Sequence, residues 1–113
     1  MLNELAKEIH ENAVNKGFYS NPIETGTLLM LCVPELSEAL EADRIDNHAD
    51  LESYELFECS FEECIKDTFE DELADSLIRI LDLCAAKNID IDTHVKLKME
   101  YNKGREKLHG KKY

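Results

Sequence analysis

The sequence has no tryptophan, only two prolines and four glycines, and no sustained alternation of polar and apolar residues. So little Pro and Gly leaves few positions marked as turns, and the missing period-two pattern argues against strands. No apolar run approaches the roughly 18 residues that a bilayer-spanning helix needs, so a membrane is not an expected partner. No signal-like segment opens the chain either. The four cysteines (Cys32, Cys59, Cys64 and Cys84) show no C-x-x-C spacing. A zinc site built from Cys59, Cys64 and a histidine is therefore disfavoured. Cys32 and Cys84 fall on apolar helix faces, where a free thiol acts as a small hydrophobe. A reduced, cytoplasmic setting is the expectation. Positive charge is scarce as well: 13 Lys and Arg stand against 25 Asp and Glu, a net charge of −12 that argues against nucleic acid as a partner.

What is present reads as one helix-rich domain spanning residues 1–113. The stripe Leu2, Leu5, Ile9 predicts a helix over 2–15, ended by Gly17 and Pro22. Leu28, Leu29, Cys32, Leu36, Ala39 and Leu40 predict a second over 24–45, with a kink or fresh start at Pro34. Residues 46–60 read as a variable loop or short extra helix. Ile65, Phe69, Leu73, Leu77, Ile80, Leu81 and Cys84 recur at three- and four-residue steps and predict a third long helix over 61–87. A fourth is expected from Asp92 or Thr93 to Lys107, with a less clean apolar face. Four helices with short connections favour an all-α, four-helix-bundle-like fold.

Within this pattern a six-residue phrase is written twice. Glu35-Leu36-Ser37-Glu38-Ala39-Leu40 returns 37 residues later as Glu72-Leu73-Ala74-Asp75-Ser76-Leu77. Each copy places two carboxylates at i and i+3, on one helix face. With Leu36 and Leu73 at zero on their helical wheels, the first acid of each pair lies about 100° and the second about 160° to the same side. Two helices packed by these stripes could turn all four acids into one groove. Separately the acids would be ordinary solubilising residues. Together, two carboxylates about 5 Å apart repel by roughly 3 kcal/mol at an effective dielectric near 20, so convergence calls for a cation. The two acid-bearing helices carry no Glu-x-x-His, which a ferritin-type di-iron bundle needs. An all-carboxylate set points to Mg²⁺, with Mn²⁺ as the alternative.

The basic residues are concentrated at the other end. Residues 96–113 hold seven of the 13 Lys and Arg, leaving the body at −17 and the tail at +5. Lys98, Asn102 and Arg105 fall at i, i+4 and i+7 on one helix face, a donor set suited to a polyphosphate. A solvated helix face with a frayed basic tail over 108–113 is the bland alternative. Lys16 is a weaker addition, and Phe18 and Tyr19 beside it could stack on a base, although packing is their commoner role.

Taken together, Glu35-x-x-Glu38, Glu72-x-x-Asp75 and the following Lys98/Asn102/Arg105 helix resemble the MazG-like branch of the all-α NTP pyrophosphatase superfamily. The resemblance covers residues 10–113, with the region around 46–60 least similar. Pro34 and the 33 residues between the acidic pairs depart from the family pattern. The resemblance implies Mg²⁺-dependent hydrolysis of a (d)NTP to the monophosphate and pyrophosphate, as in nucleotide-pool house-cleaning. It implies that Glu35, Glu38, Glu72 and Asp75 hold metal and that Lys98, Asn102 and Arg105 contact phosphate; on residue chemistry, Glu38 is the candidate base and Lys16 a weaker phosphate contact. It also implies a homodimer or dimer of dimers. Two other functions are compatible with the residues: a non-catalytic helical interaction module, and a divalent-cation-binding protein without chemistry.

Overall fold

The computed structural model describes residues 1–112; Tyr113, the last residue of the basic tail, lies outside them. Among the described residues every regular element is helical: α1 (Leu2–Asn15), α2 (Thr25–Met30), α3 (Cys32–Arg44), α4 (Leu51–Glu55), α5 (Phe61–Cys64), α6 (Phe69–Ala86), α7 (Ile91–Lys103) and a 3₁₀ turn at Lys107–Gly110. The fold is all-α. Its axis is α6, the longest helix, against which α1 and α3 both pack.

The first helix has no capping side chain at its own Met1. The start of α7 supplies one. The Asp92 carboxylate accepts hydrogen bonds from the backbone N–H of Leu2 (2.8 Å) and Asn3 (3.0 Å). Asp90 accepts another from the Asn3 side-chain amide (2.8 Å). The N–H groups of Asn3 and Leu2 hold the Asp92 carboxyl below its ordinary range, as a carboxylate at a helix N-terminus should be. Asp90 in turn caps α7 through the N–H of Thr93, so this helix begins just before the Asp92 or Thr93 expected, and it ends at Lys103 rather than Lys107.

Both long segments are broken: the second, expected to kink or start afresh at Pro34, restarts at Cys32, and the third, expected to be continuous, divides as well. The 24–45 segment divides at Leu31, and Pro34 lies in the first turn of α3. A proline is tolerated there because the first four N–H groups of a helix have no intrahelical acceptor. The 61–87 segment divides at 65–68. Ser60 and Glu63 form a complete capping box for the short α5. Asp67 then adopts a left-handed conformation (φ 64°), and Thr68 caps α6 through the N–H of Asp71. At this second break, local side-chain caps thus outweigh the apolar periodicity that runs through the segment. The loop before α4 is tied to this break: Phe69 N–H donates to the Asn47 carbonyl (2.9 Å) and Ala49 N–H to Glu70 Oε1 (2.8 Å). Against the expectation of a reduced setting, Cys59 and Cys64 are paired as a disulfide, with Cα atoms 6.1 Å apart, a separation that a bridge spans without backbone movement.

The larger correction concerns the apolar stripes. Leu28, Ala39, Ile65, Leu81 and Cys84 are buried as expected, but Leu36, Leu40, Leu73, Leu77 and Ile80 are each between 43% and 54% exposed. The residues buried with them are small or polar: Ala6, Ala42, Thr68, Glu72 and Ser76. The radius of gyration is 17.0 Å, against about 13 Å for a compact domain of this length. The wheel accounts for this. A stripe lying 100–160° from the acids cannot address the same neighbour that the acids address. Because α3 and α6 meet by their acid-bearing faces, the leucine stripes turn outward.

Candidate metal centre

The acids meet because α3 and α6 run antiparallel, with Glu35 beside Arg79 and Glu38 beside Glu72. Small side chains at the contact, among them Ala39 and Ser76, let the two helices approach. Carboxylate oxygens of Glu35, Glu38 and Glu72 all lie within 4.8 Å of one another. Asp75 borders this trio without joining it. Its carboxyl is raised first by burial and then by the charges of Asp71 and Glu35, an effect that Arg79 opposes. Arg79 places Nε and Nη2 each 3.3 Å from Glu35 Oε1 and is the cation nearest the group.

Glu72 is the unusual member. It is 4% exposed, on a buried line with Thr68 and Ser76, and its Oε2 has no hydrogen-bond partner. Burial, followed by the hydrogen bond and charge of Glu38, pushes its carboxyl up to about 8. A desolvated carboxylate facing two others has two ways to avoid repulsion of about 3 kcal/mol per ionised pair: hold a proton or hold a cation. The orphaned oxygen and the purely carboxylate donor set fit Mg²⁺ or Mn²⁺, which take oxygen ligands.

A cavity of about 370 Å³ opens beside the acids. Glu35, Asp75, Arg79 and Asp82 supply polar lining, while Ile9, Phe18, Ile23, Leu28 and Ile78 supply apolar lining. Asp82 organises one side: the Tyr19 hydroxyl donates to its Oδ2 (2.6 Å), and His10 Nδ1 lies 2.8 Å from its Oδ1. Burial, then this bond, raises the Tyr19 hydroxyl above its ordinary range. The His10 and Tyr19 rings meet edge-on at 4.6 Å. Of the aromatic pair expected to stack on a base or pack, Tyr19 is thus fixed by polar contacts, and Phe18 is 65% exposed at the rim.

The basic residues are placed elsewhere. Within the chain, α7 packs on α1, and Lys98, Asn102 and Arg105 do not line the acid-bordered cavity. Lys98 Nζ and Arg105 Cζ lie 5.1 and 5.4 Å from the Tyr101 ring centroid, and Arg105 also donates to the His109 carbonyl at 3.4 Å. The side-chain oxygen of Asn102 is buried without a partner. Lys16 is exposed at the end of α1, outside the cavity lining. Arg79, Asp82 and His10 were not singled out from sequence. Arg79 had a signal: it stands four residues after Asp75 and seven after Glu72, on the same helix face. Comparison with protein-family models, curated proteins and solved structures finds no match to this chain.

The raised Glu72 carboxyl has a thermodynamic consequence. Between its ordinary value of 4.5 and about 8 the folded chain binds more protons than the unfolded one, so stability falls as pH rises through that window. In EDTA, the urea midpoint of the wild type should drop between pH 5 and pH 8 more steeply than that of Glu72→Gln, which carries no such proton. Parallel profiles for the two proteins would contradict a buried, shared proton at Glu72.

Proposed function

We propose that the chain is a metal-dependent nucleoside triphosphate pyrophosphohydrolase of the MazG-like kind, converting a (d)NTP to the monophosphate and pyrophosphate. The observation that carries this reading is the meeting of Glu35, Glu38 and Glu72 around an unpartnered buried oxygen, with Asp75 at its edge. The resemblance assigns metal to these four acids, and three of them lie within reach of one ion. The adjoining cavity is of ligand size. Its apolar side suits a nucleoside, and its acidic end leads the phosphates toward the metal-holding carboxylates.

When bound, the cation neutralises phosphate oxygens and makes a water molecule more acidic. The chain's own residues do the rest. Glu38 is the exposed member of the trio and takes the proton as water attacks phosphorus and pyrophosphate leaves. Arg79 keeps Glu35 turned toward the group. Incubation with Mg²⁺ or Mn²⁺ and a panel of canonical and modified (d)NTPs should release pyrophosphate. Glu38→Gln should lower turnover by about 10²–10⁴-fold, the range for a lost acid–base group, with far-UV circular dichroism unchanged. No pyrophosphate above background from any nucleotide would remove the enzymatic reading.

Self-association belongs to the same proposal. Antiparallel helices are related by a two-fold axis normal to their common plane, so stripes offset by equal angles emerge on one side of the pair. Leu36, Leu40, Leu73, Leu77 and Ile80 then form one uncovered apolar face, of the kind that marks an interface. A second copy covering it would give the bundle that the single chain does not complete, and could bring its basic α7 nearer the acids. Sedimentation should give a dimer or larger species for the wild type and a monomer for Leu73→Lys/Leu77→Lys. A monomeric wild type at tens of micromolar would refute this arrangement.

A further inference from the structure

The acidic end of the cavity would repel a polyphosphate unless positive groups offset it. Among the charged residues that line it, Glu35, Asp75 and Asp82 are acidic and Arg79 is the one basic residue. Lys98, Asn102 and Arg105, the donors that the resemblance assigns to phosphate, are outside that lining, and Lys98 and Arg105 lie over the Tyr101 ring. A triphosphate held in this cavity therefore needs a fixed positive group in addition to the cation. We propose that Arg79 is that group: its Nε holds Glu35 while its Nη edge donates to a phosphate oxygen of a metal-bound triphosphate. The inference rests on the nucleotide reading above and names the residue of this chain that engages the phosphates.

The geometry leaves the guanidinium able to do this. Nε and Nη2 both approach a single oxygen, Glu35 Oε1, each at 3.3 Å. A charge-assisted fork engages two oxygens at about 2.7–2.9 Å, so the contact is loose and does not use up the five donors of the arginine. Nη1 makes no hydrogen bond among the described residues. The nearby acid that could compete for it is already engaged, because both oxygens of Asp82 have partners in His10 and Tyr19. Burial raises the Asp75 carboxyl and the Tyr19 hydroxyl, and the Arg79 charge opposes both rises. The guanidinium thus acts on both the acid group and the tyrosine across the cavity. Its side chain is 41% exposed, so an entering ligand can reach it. A planar fork of N–H donors in that position matches the oxygens of a phosphate.

Calorimetric titration of the full chain separates this role from one exercised only through Glu35. The two probes are Mn²⁺ alone, and inorganic triphosphate in excess Mg²⁺. Arg79→Gln should weaken triphosphate binding about 10–100-fold, the range for a lost hydrogen bond to a charged group. Its Mn²⁺ affinity should change by no more than about fivefold, the worth of a half-exposed ion pair. Arg79→Lys, which keeps the charge but not the fork, should fall between Arg79→Gln and the wild type. Equal triphosphate affinity in the wild type and Arg79→Gln would overturn the proposal. So would parallel losses of triphosphate and Mn²⁺ affinity, which would mean that Arg79 acts only on Glu35. A wild type that binds no triphosphate would overturn it as well. Pyrophosphate release from a (d)NTP judges the enzymatic reading separately. Triphosphate held through Arg79 without hydrolysis would keep the contact and remove the enzyme, whereas hydrolysis with KM unchanged in Arg79→Gln would keep the enzyme and remove the contact.

Discussion

The structure depends on three carboxylates crowded around one buried oxygen between α3 and α6. Glu72 is as buried as the core alanines around it, yet it faces Glu35 and Glu38. An isolated charge in that position is costly, so the interface is stable only when a proton or a cation occupies it. The helices meet by small and acidic residues more than by large apolar ones. Small residues line the approach, and Arg79 partly offsets the charge at Glu35.

The outward leucines follow from the same constraint. A helix has one face for each neighbour, and α3 and α6 give theirs to the acids. The apolar stripes are left on the outside, which explains why a chain of 43% hydrophobic residues builds so thin a core. In the proposed reading function and assembly are linked at this point: placing acids between the helices leaves apolar surface that a second chain would cover. The basic α7 fits the same account. It is anchored at its start by Asp90 and Asp92, and it carries Lys98 and Arg105 away from the acids of its own chain.

Much of this was legible in the sequence because it is local. The bounds of α1 matched to the residue, and the repeated Glu-x-x-Glu and Glu-x-x-Asp pairs already implied a common angle to their stripes. The breaks at 31 and 65–68 were harder, since apolar periodicity runs across them. Ser60-x-x-Glu63 and Thr68-x-x-Asp71 were nevertheless readable capping signals. Which face a stripe presents to its neighbour was not legible, because amphipathicity identifies an apolar face without saying what covers it. The Asp92 cap on α1 and the Asp82 link to His10 and Tyr19 each depend on the way the chain folds back on itself, and no spacing rule reports them.

The central claim is that a divalent cation takes the place of the proton held at Glu72. Calorimetric titration with Mn²⁺ at pH 7, in two buffers of different ionisation enthalpy, measures the protons released on binding. With the Glu72 carboxyl pushed up to about 8, close to one proton per chain should leave as the metal enters, and Glu72→Gln should abolish that release. Binding without proton release, or no binding at all, would contradict the account.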